Sequence, residues 1–212
     1  MSSPWWVTAL LARSSYFAVR QVEVVGAHYL APEDVTERLG LGADASVWLD
    51  LDRLEDRVRG MPGVVAAGVS RRLPGSLVVT VREREPVALA DGPGGLVAVA
   101  EDGSPLPFDV ARAPVDAPLV VGADARLVGG LAVVQRTDPG LYAGVNSASL
   151  DGGMALELDH GRIRLDLPVD PAAVRAVMLV RRDLAARGMA WREVDGRFRG
   201  WVVVRPSGMK AD

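Results

Sequence analysis

The sequence predicts an α+β protein of two domains, and three observations carry the prediction. The 212 residues are 49% hydrophobic and 24% charged, which is the composition of a folded soluble chain and excludes disordered and fibrous classes. The 23 glycines and 14 prolines indicate many turns between short elements. Stretches in which apolar residues alternate with other residues occur in both halves of the chain, between stretches with helical spacing. The length permits one or two domains.

Composition also narrows the classes of function. The 24 basic and 27 acidic residues give a net charge of −3, so the chain is not a polyelectrolyte that binds nucleic acid. The absence of cysteine removes disulfides, thiolate metal sites and cysteine nucleophiles. The two histidines, His28 and His160, lack the spacing of a zinc site and are interpreted as turn residues.

Other candidate catalytic groups have simple structural explanations. The carboxylate pair Asp50 and Asp52 is placed to cap a helix, and the pair Glu101 and Asp102 lies in a turn. The glycine-rich residues 92–95 lack the Gly-Lys-Ser/Thr ending of a phosphate loop and predict a turn. We therefore expect no enzymatic activity, no cofactor and no metal.

The first third of the chain predicts a strand followed by two helices. Residues 17–25 are rich in β-branched side chains and end at a glycine, which predicts a strand. Pro32 opens a helix that ends at residues 39–40. Apolar residues at helical spacing predict a second helix over residues 51–61, with Asp50 or Asp52 as its cap.

Two further strands complete this unit. Alternating residues 65–72 end at Arg71 and Arg72, a Pro74-Gly75 turn follows, and residues 77–82 alternate again. The resulting β-α-α-β-β order predicts two helices on one face of a three-stranded sheet, whose edge is available to a partner strand.

Four phrases of this unit resemble the POTRA domain of the bacterial FtsQ/DivIB cell-division proteins. They are residues 15–26, 31–35, 61–64 and 71–86, in the same order as in the family. The Arg-Glu-Arg-Glu-Pro exit from the last strand is the most specific of them. The resemblance implies a POTRA domain over residues 14–86.

Residues 87–206 predict a mostly antiparallel β domain with one long helix before the final strands. Alternating residues 96–100 lead into Asp102-Gly103, which predicts a hairpin turn, and residues 108–118 read as a connecting loop. Residues 154–167 form a clear amphipathic hairpin. A helix then begins after Asp170 and ends at Gly188.

The end of the chain continues the resemblance. The polar turn 194–198 and the apolar strand 201–206 resemble the closing phrase of the family, although Gly196 stands where the family usually has an apolar residue. The resemblance thus extends over residues 14–206 and leaves a tail at 207–212.

The resemblance implies a non-enzymatic divisome scaffold that acts outside the cytoplasmic membrane. In the family, the last strand region of the β domain pairs with FtsB, in complex with FtsL. The scaffold would hold these partners at the septum and link them to the septal peptidoglycan synthases. Carried over to this chain, the pairing edge would comprise Phe198, Gly200, Trp201, Val202, Val203 and Val204. An alternative places Trp201 in the core. Arg71 and Arg72 are interpreted as either a second partner contact or solvated charges.

Residues 5–12 form an apolar run at the amino terminus. Eight helical residues rise about 12 Å against a bilayer core of about 30 Å, so the run cannot span a membrane alone. It is interpreted either as a docked or frayed terminus or as the end of an anchor, with residues 1–13 its remnant or the segment after it. The anchor would make this a single-pass protein of the inner membrane at the septum.

Two rival classes remain open. A POTRA module of an outer-membrane assembly or transport system would carry a barrel, and 16 strands need about 160 residues. Only 126 residues follow Pro86, and a helix interrupts them. A hydrolase or transferase with an unrecognised site is the second rival.

Overall fold

The computed structural model describes residues 15–207, and the chain within it forms two compact units. Unit 1 holds the described residues up to Arg84 together with Pro107–Ala113. Unit 2 holds Glu85–Leu106 and the chain from Pro114 onward. The apolar run 5–12 and nearly all of the predicted tail lie outside the described residues.

Unit 1 has the predicted β-α-α-β-β order. Its sheet has the strand order β1-β3-β2, with β1 parallel and β2 antiparallel to β3. The elements are β1 (Gln21–Val25), α1 (Pro32–Leu39), α2 (Leu51–Arg59), β2 (Val64–Arg72) and β3 (Ser76–Glu83). Val35 and Leu39 of α1 and Leu54 and Val58 of α2 form one buried core with Leu77, Val79 and Val81 of β3.

Local signals set the ends of both helices. Pro32 occupies the first turn of α1, and Gly40 ends the helix in the left-handed conformation at φ 59°. Asp50 caps α2, because its side chain accepts from the Arg53 N–H at 3.4 Å. Gly60 ends α2 two residues earlier than the sequence predicts.

A buried carboxylate closes unit 1. Glu83 is 9% exposed and accepts the backbone N–H groups of His28, Tyr29 and Leu30 at 2.7–2.9 Å. Phe108 stacks on Tyr29, with ring centroids 5.0 Å apart. The predicted connecting loop therefore includes a segment that packs on unit 1, which local sequence signals do not reveal.

Unit 2 is built on an eight-stranded sheet with the order β11-β10-β9-β8-β7-β6-β4-β5. Four of its seven strand pairings are antiparallel. The strands are β4 (Ala88–Gly92), β5 (Gly95–Val99), β6 (Leu119–Val120), β7 (Val145–Leu150), β8 (Met154–Leu158), β9 (Gly161–Leu165), β10 (Trp191–Asp195) and β11 (Val203–Pro206). The helices are α3 (Ala125–Thr137), α4 (Pro139–Ala143) and α5 (Pro171–Ala186).

The structure differs from the sequence prediction in the first half of unit 2. The hairpin between β4 and β5 turns at residues 92–95, whereas Asp102-Gly103 forms a tight turn closed by a single bridge between Val99 and Pro105. The sequence does not predict helices α3 and α4 or strands β4, β6 and β7. Gly129 and Gly130 lie in the middle of α3, where glycine lowers helix propensity and obscures the periodicity.

The second half of unit 2 matches the prediction closely. Strands β8 and β9 form the hairpin, with Leu156 opposite Ile163. Asp170 caps α5 by accepting from the Ala172 N–H at 2.7 Å, and Gly188 follows the helix with φ 64°. The sequence does not predict strand β10, because residues 194–198 indicate a polar turn that overlaps its end.

Candidate partner-binding edge

Strand β11 forms one edge of the sheet of unit 2. It pairs antiparallel with β10, and among the described residues no strand pairs with its other side. The Ser207 N–H donates to the Ala190 carbonyl at 3.2 Å, so alternation along the strand turns the N–H and C=O of Val204 to the outer side. Pro206 shares that outer side and has no N–H, which limits how far pairing can extend.

The two faces of this segment differ in character. Val202 and Val204 pack against the core of unit 2. Trp201, Val203 and Arg205 are exposed on the opposite face, with Trp201 77% exposed. The predicted strand from residue 201 is thus too long, because regular pairing begins at Val203. Of the two interpretations of Trp201, the structure supports the exposed one.

A tight turn carries the exposed aromatic side chains. The Trp201 N–H donates to the Phe198 carbonyl at 3.1 Å, and Gly200 has φ 78°. A positive φ at the third residue is the signature of a type II turn and favours glycine. Because Phe198 is 52% exposed, the turn presents two exposed aromatic residues beside the start of β11.

An ion pair anchors the segment before this turn. Arg197 binds the 5% exposed Asp195 with two nitrogens at 2.9 and 2.6 Å and donates to the Gly152 carbonyl at 2.9 Å. The hydrogen bond from Arg197 lowers the pKa of Asp195 below its ordinary value. A Cβ on Gly196 would lie 2.6 Å from Cγ2 of Val177, so a larger residue would not fit here without a shift of its neighbours.

Sequence reasoning missed a second ion pair at this edge. Glu193 on β10 is 8% exposed, and its Oε1 lies 3.2 Å from Nη1 of Arg205 on β11. The Arg205 side chain is 67% exposed, so one end of the pair is buried and the other reaches solvent. Only the antiparallel register of β10 and β11 brings these residues together.

The predicted arginine site of unit 1 has a different character. Arg71 donates to the carbonyls of Val47 and Leu49 at 2.5 and 2.7 Å, and its guanidinium lies over the Trp48 ring at 5.7 Å. Arg72 forms an ion pair with Glu23. Both cations therefore make contacts within unit 1.

The other candidate groups have structural roles. Glu101 binds Arg136 at 2.8 and 2.9 Å, and Asp102 accepts from the Ser104 N–H at 3.0 Å. Residues 15–207 include no cluster of three His, Cys, Asp or Glu side chains that could hold a metal ion. Within the same range, no helix is long and apolar enough to cross a membrane.

Comparison with known proteins supplies the family. Residues 17–84 match the model of the FtsQ-type POTRA domain. The cell division protein FtsQ of Bradyrhizobium diazoefficiens is 31% identical over 140 residues, which are 65% of this chain and 40% of that protein. FtsQ of Myxococcus fulvus is 29% identical over 215 residues, which cover 92% of this chain and 75% of that protein. The chain belongs to the FtsQ/DivIB family.

A third relative agrees with this assignment. FtsQ of Zymomonas mobilis is 32% identical over 144 residues, which are 67% of this chain and 46% of that protein. The chain thus spans less than half the length of two of these FtsQ proteins. Membership of the family agrees with the prediction that the chain is not an enzyme.

Proposed function

We propose that this FtsQ-type chain is a non-enzymatic cell-division scaffold that binds a partner by adding a strand to β11. The observation that carries the proposal is the outer edge of β11, where the N–H and C=O of Val204 face away from β10 and the exposed Trp201 precedes the strand. An added strand would gain main-chain hydrogen bonds at such an edge, and the side chains around it would supply selectivity.

Exposed aromatic residues next to this edge would add apolar contacts to the main-chain hydrogen bonds of an added strand. Trp201 and Phe198 are large apolar side chains exposed to solvent, and aromatic anchors dominate the binding energy of many interfaces. Gly200 supports the turn that presents them. The proposed site therefore keeps all six residues assigned from the sequence, with Val203 and Val204 as the strand and Phe198 and Trp201 as the anchors.

The partner and location follow from the family. The occupant would be an FtsB-type segment in complex with an FtsL-type protein, and the scaffold would link them to septal peptidoglycan synthesis. The two domains, with proposed limits 14–86 and 87–206, would lie on the outer side of the cytoplasmic membrane at the septum. Arg71 and Arg72 remain a proposed second contact. A partner would bind the N–H groups of each guanidinium that are not used by its partners within unit 1.

Titration of the chain with extracytoplasmic segments of the FtsB- and FtsL-type proteins tests the proposal. Trp201→Glu should weaken binding roughly 30-fold, the effect of losing a hot spot of about 2 kcal/mol. Phe198→Glu should weaken binding less, since Phe198 is less exposed.

Leu179→Glu is the matched control, because Leu179 is an exposed apolar residue on α5, outside the proposed edge. It should leave the affinity unchanged. Unchanged affinity in both aromatic variants would contradict the proposed site.

A further inference from the structure

A row of alternating charges crosses the face of the unit 2 sheet that lies opposite its hydrophobic core, and it ends at β11. The strand register places Glu157 on β8 beside Arg162 on β9, then Glu193 on β10, then Arg205 on β11. Residues in register on neighbouring strands share a face, so these four side chains form one row in the order acid, base, acid, base.

Contacts within the row follow this alternation. Arg162 Nε lies 2.5 Å from Glu157 Oε1 at one end, and Arg205 Nη1 lies 3.2 Å from Glu193 Oε1 at the other. Glu193 Oε1 is buried and has no hydrogen bond of good geometry, so the Arg205 cation is its close ionic partner. The row therefore ends at the sheet edge on a cation.

Arg205 retains the capacity to bind a second carboxylate. A guanidinium carries five N–H donors in a planar fork, and the ion pair with Glu193 involves one nitrogen. The side chain is 67% exposed. A strand added at β11 would run about 4.8 Å further out, within reach of the remaining donors.

The neighbouring row of side chains on the same face ends at β11 on an apolar residue instead of a cation. It runs from Ala155 through Arg164 and Asp195 to Val203 on β11. Val203 is an exposed apolar side chain, and Trp201 lies next along the same face. An added strand would thus meet a cation at one position and an apolar surface two residues away.

We propose that the strand received by β11 carries an acidic side chain opposite Arg205 and an apolar side chain opposite Val203. This inference rests on the proposed function, since it describes the occupant of the same edge. If the added strand runs antiparallel to β11, its sequence reads acid-x-apolar, and if it runs parallel, apolar-x-acid. A basic residue opposite Arg205 would be destabilising.

Selection of random 12-residue peptides displayed on phage against the full chain tests the inference. Peptides selected by the wild type should be enriched in Asp or Glu two positions from an apolar residue. Their affinity should fall roughly 10-fold in Arg205→Glu, as expected when an opposite-charge cross-strand pair becomes a like-charge pair. Arg182→Glu, on the exposed surface of α5, makes the same charge change and should have no effect.

Two further variants keep the outcomes separate. Arg205→Gln removes the charge without placing a carboxylate beside Glu193, and it should lower the affinity about 3-fold. Because Glu193 then loses its ionic partner, thermal unfolding is measured in parallel, and a cooperative transition shows that the variant is folded at the assay temperature. Replacing the acidic peptide residue by Lys should restore part of the binding to Arg205→Glu.

The strand-blocking variant Val204→Pro separates this inference from the proposed function. Two results would overturn the charge inference alone, provided that Val204→Pro abolishes peptide binding. The first is that the selected peptides show no preference for acidic residues, and the second is that they bind Arg205→Glu as tightly as the wild type. Peptides insensitive to Val204→Pro, or a library that yields no binder, overturn strand addition and the inference with it.

Discussion

The two units use their strand-end arginines in opposite ways. In unit 1, Arg71 at the end of β2 donates to two backbone carbonyls and covers a tryptophan ring. In unit 2, Arg205 on β11 makes one ion pair, and its side chain is largely exposed to solvent. Both are arginines near the end of an edge strand, so residue type and exposure of the strand do not by themselves identify a binding site. The two arginines differ in how many of their donor groups are already bonded within their own unit.

The largest expected effect is on the free energy of unfolding of unit 1, where the buried Glu83 accepts three backbone hydrogen bonds. Glu83→Ala should destabilise unit 1 by about 3 kcal/mol, because it leaves three N–H groups without their buried acceptor. Glu85→Ala, two residues away and exposed, is the matched control and should change stability by less than about 0.5 kcal/mol. Urea unfolding measures both, and equal values would contradict the structural role of Glu83.

A smaller effect separates the two arginines of unit 1. In urea unfolding, Arg71→Ala should lower the free energy of unfolding by about 2 kcal/mol, since it removes two hydrogen bonds from a charged donor and the contact with Trp48. Arg72→Ala should lower it by less than about 1 kcal/mol, because the ion pair of Arg72 with Glu23 is exposed.

The same two variants sharpen the comparison with unit 2. If Arg72→Ala leaves stability intact and weakens binding of a divisome partner, Arg72 belongs to a second contact. If Arg71→Ala is as mild as Arg72→Ala, the internal role assigned to Arg71 is wrong.

The sequence predicted those elements whose signals are local. Pro32 with Gly40, and Asp170 with Gly188, delimit α1 and α5 within a residue or two, and the hairpin 154–165 shows strict alternation. Helix α3 was missed because paired glycines interrupt its pattern, and β6 because it has two residues.

The candidate site was predicted only in part, for a related reason. The resemblance gave the segment around Trp201, but not the turn that holds it or the point where pairing begins. The pairs of Glu193 with Arg205 and of Arg71 with Val47 join residues that are distant in sequence and meet only through the register of the sheet or the packing of a loop. Such contacts carry no local periodicity.

The central claim, strand addition at β11, is tested most directly by comparing two substitutions at Val204. Proline removes the outward N–H that an added strand would bind, whereas alanine keeps it and reduces only the packing of the side chain. The measurement is the affinity of the FtsB- and FtsL-type segments for each variant. We predict that Val204→Pro loses at least about 10-fold in affinity and Val204→Ala stays within about 3-fold of the wild type. Equal affinities for the two variants would contradict strand addition at this edge.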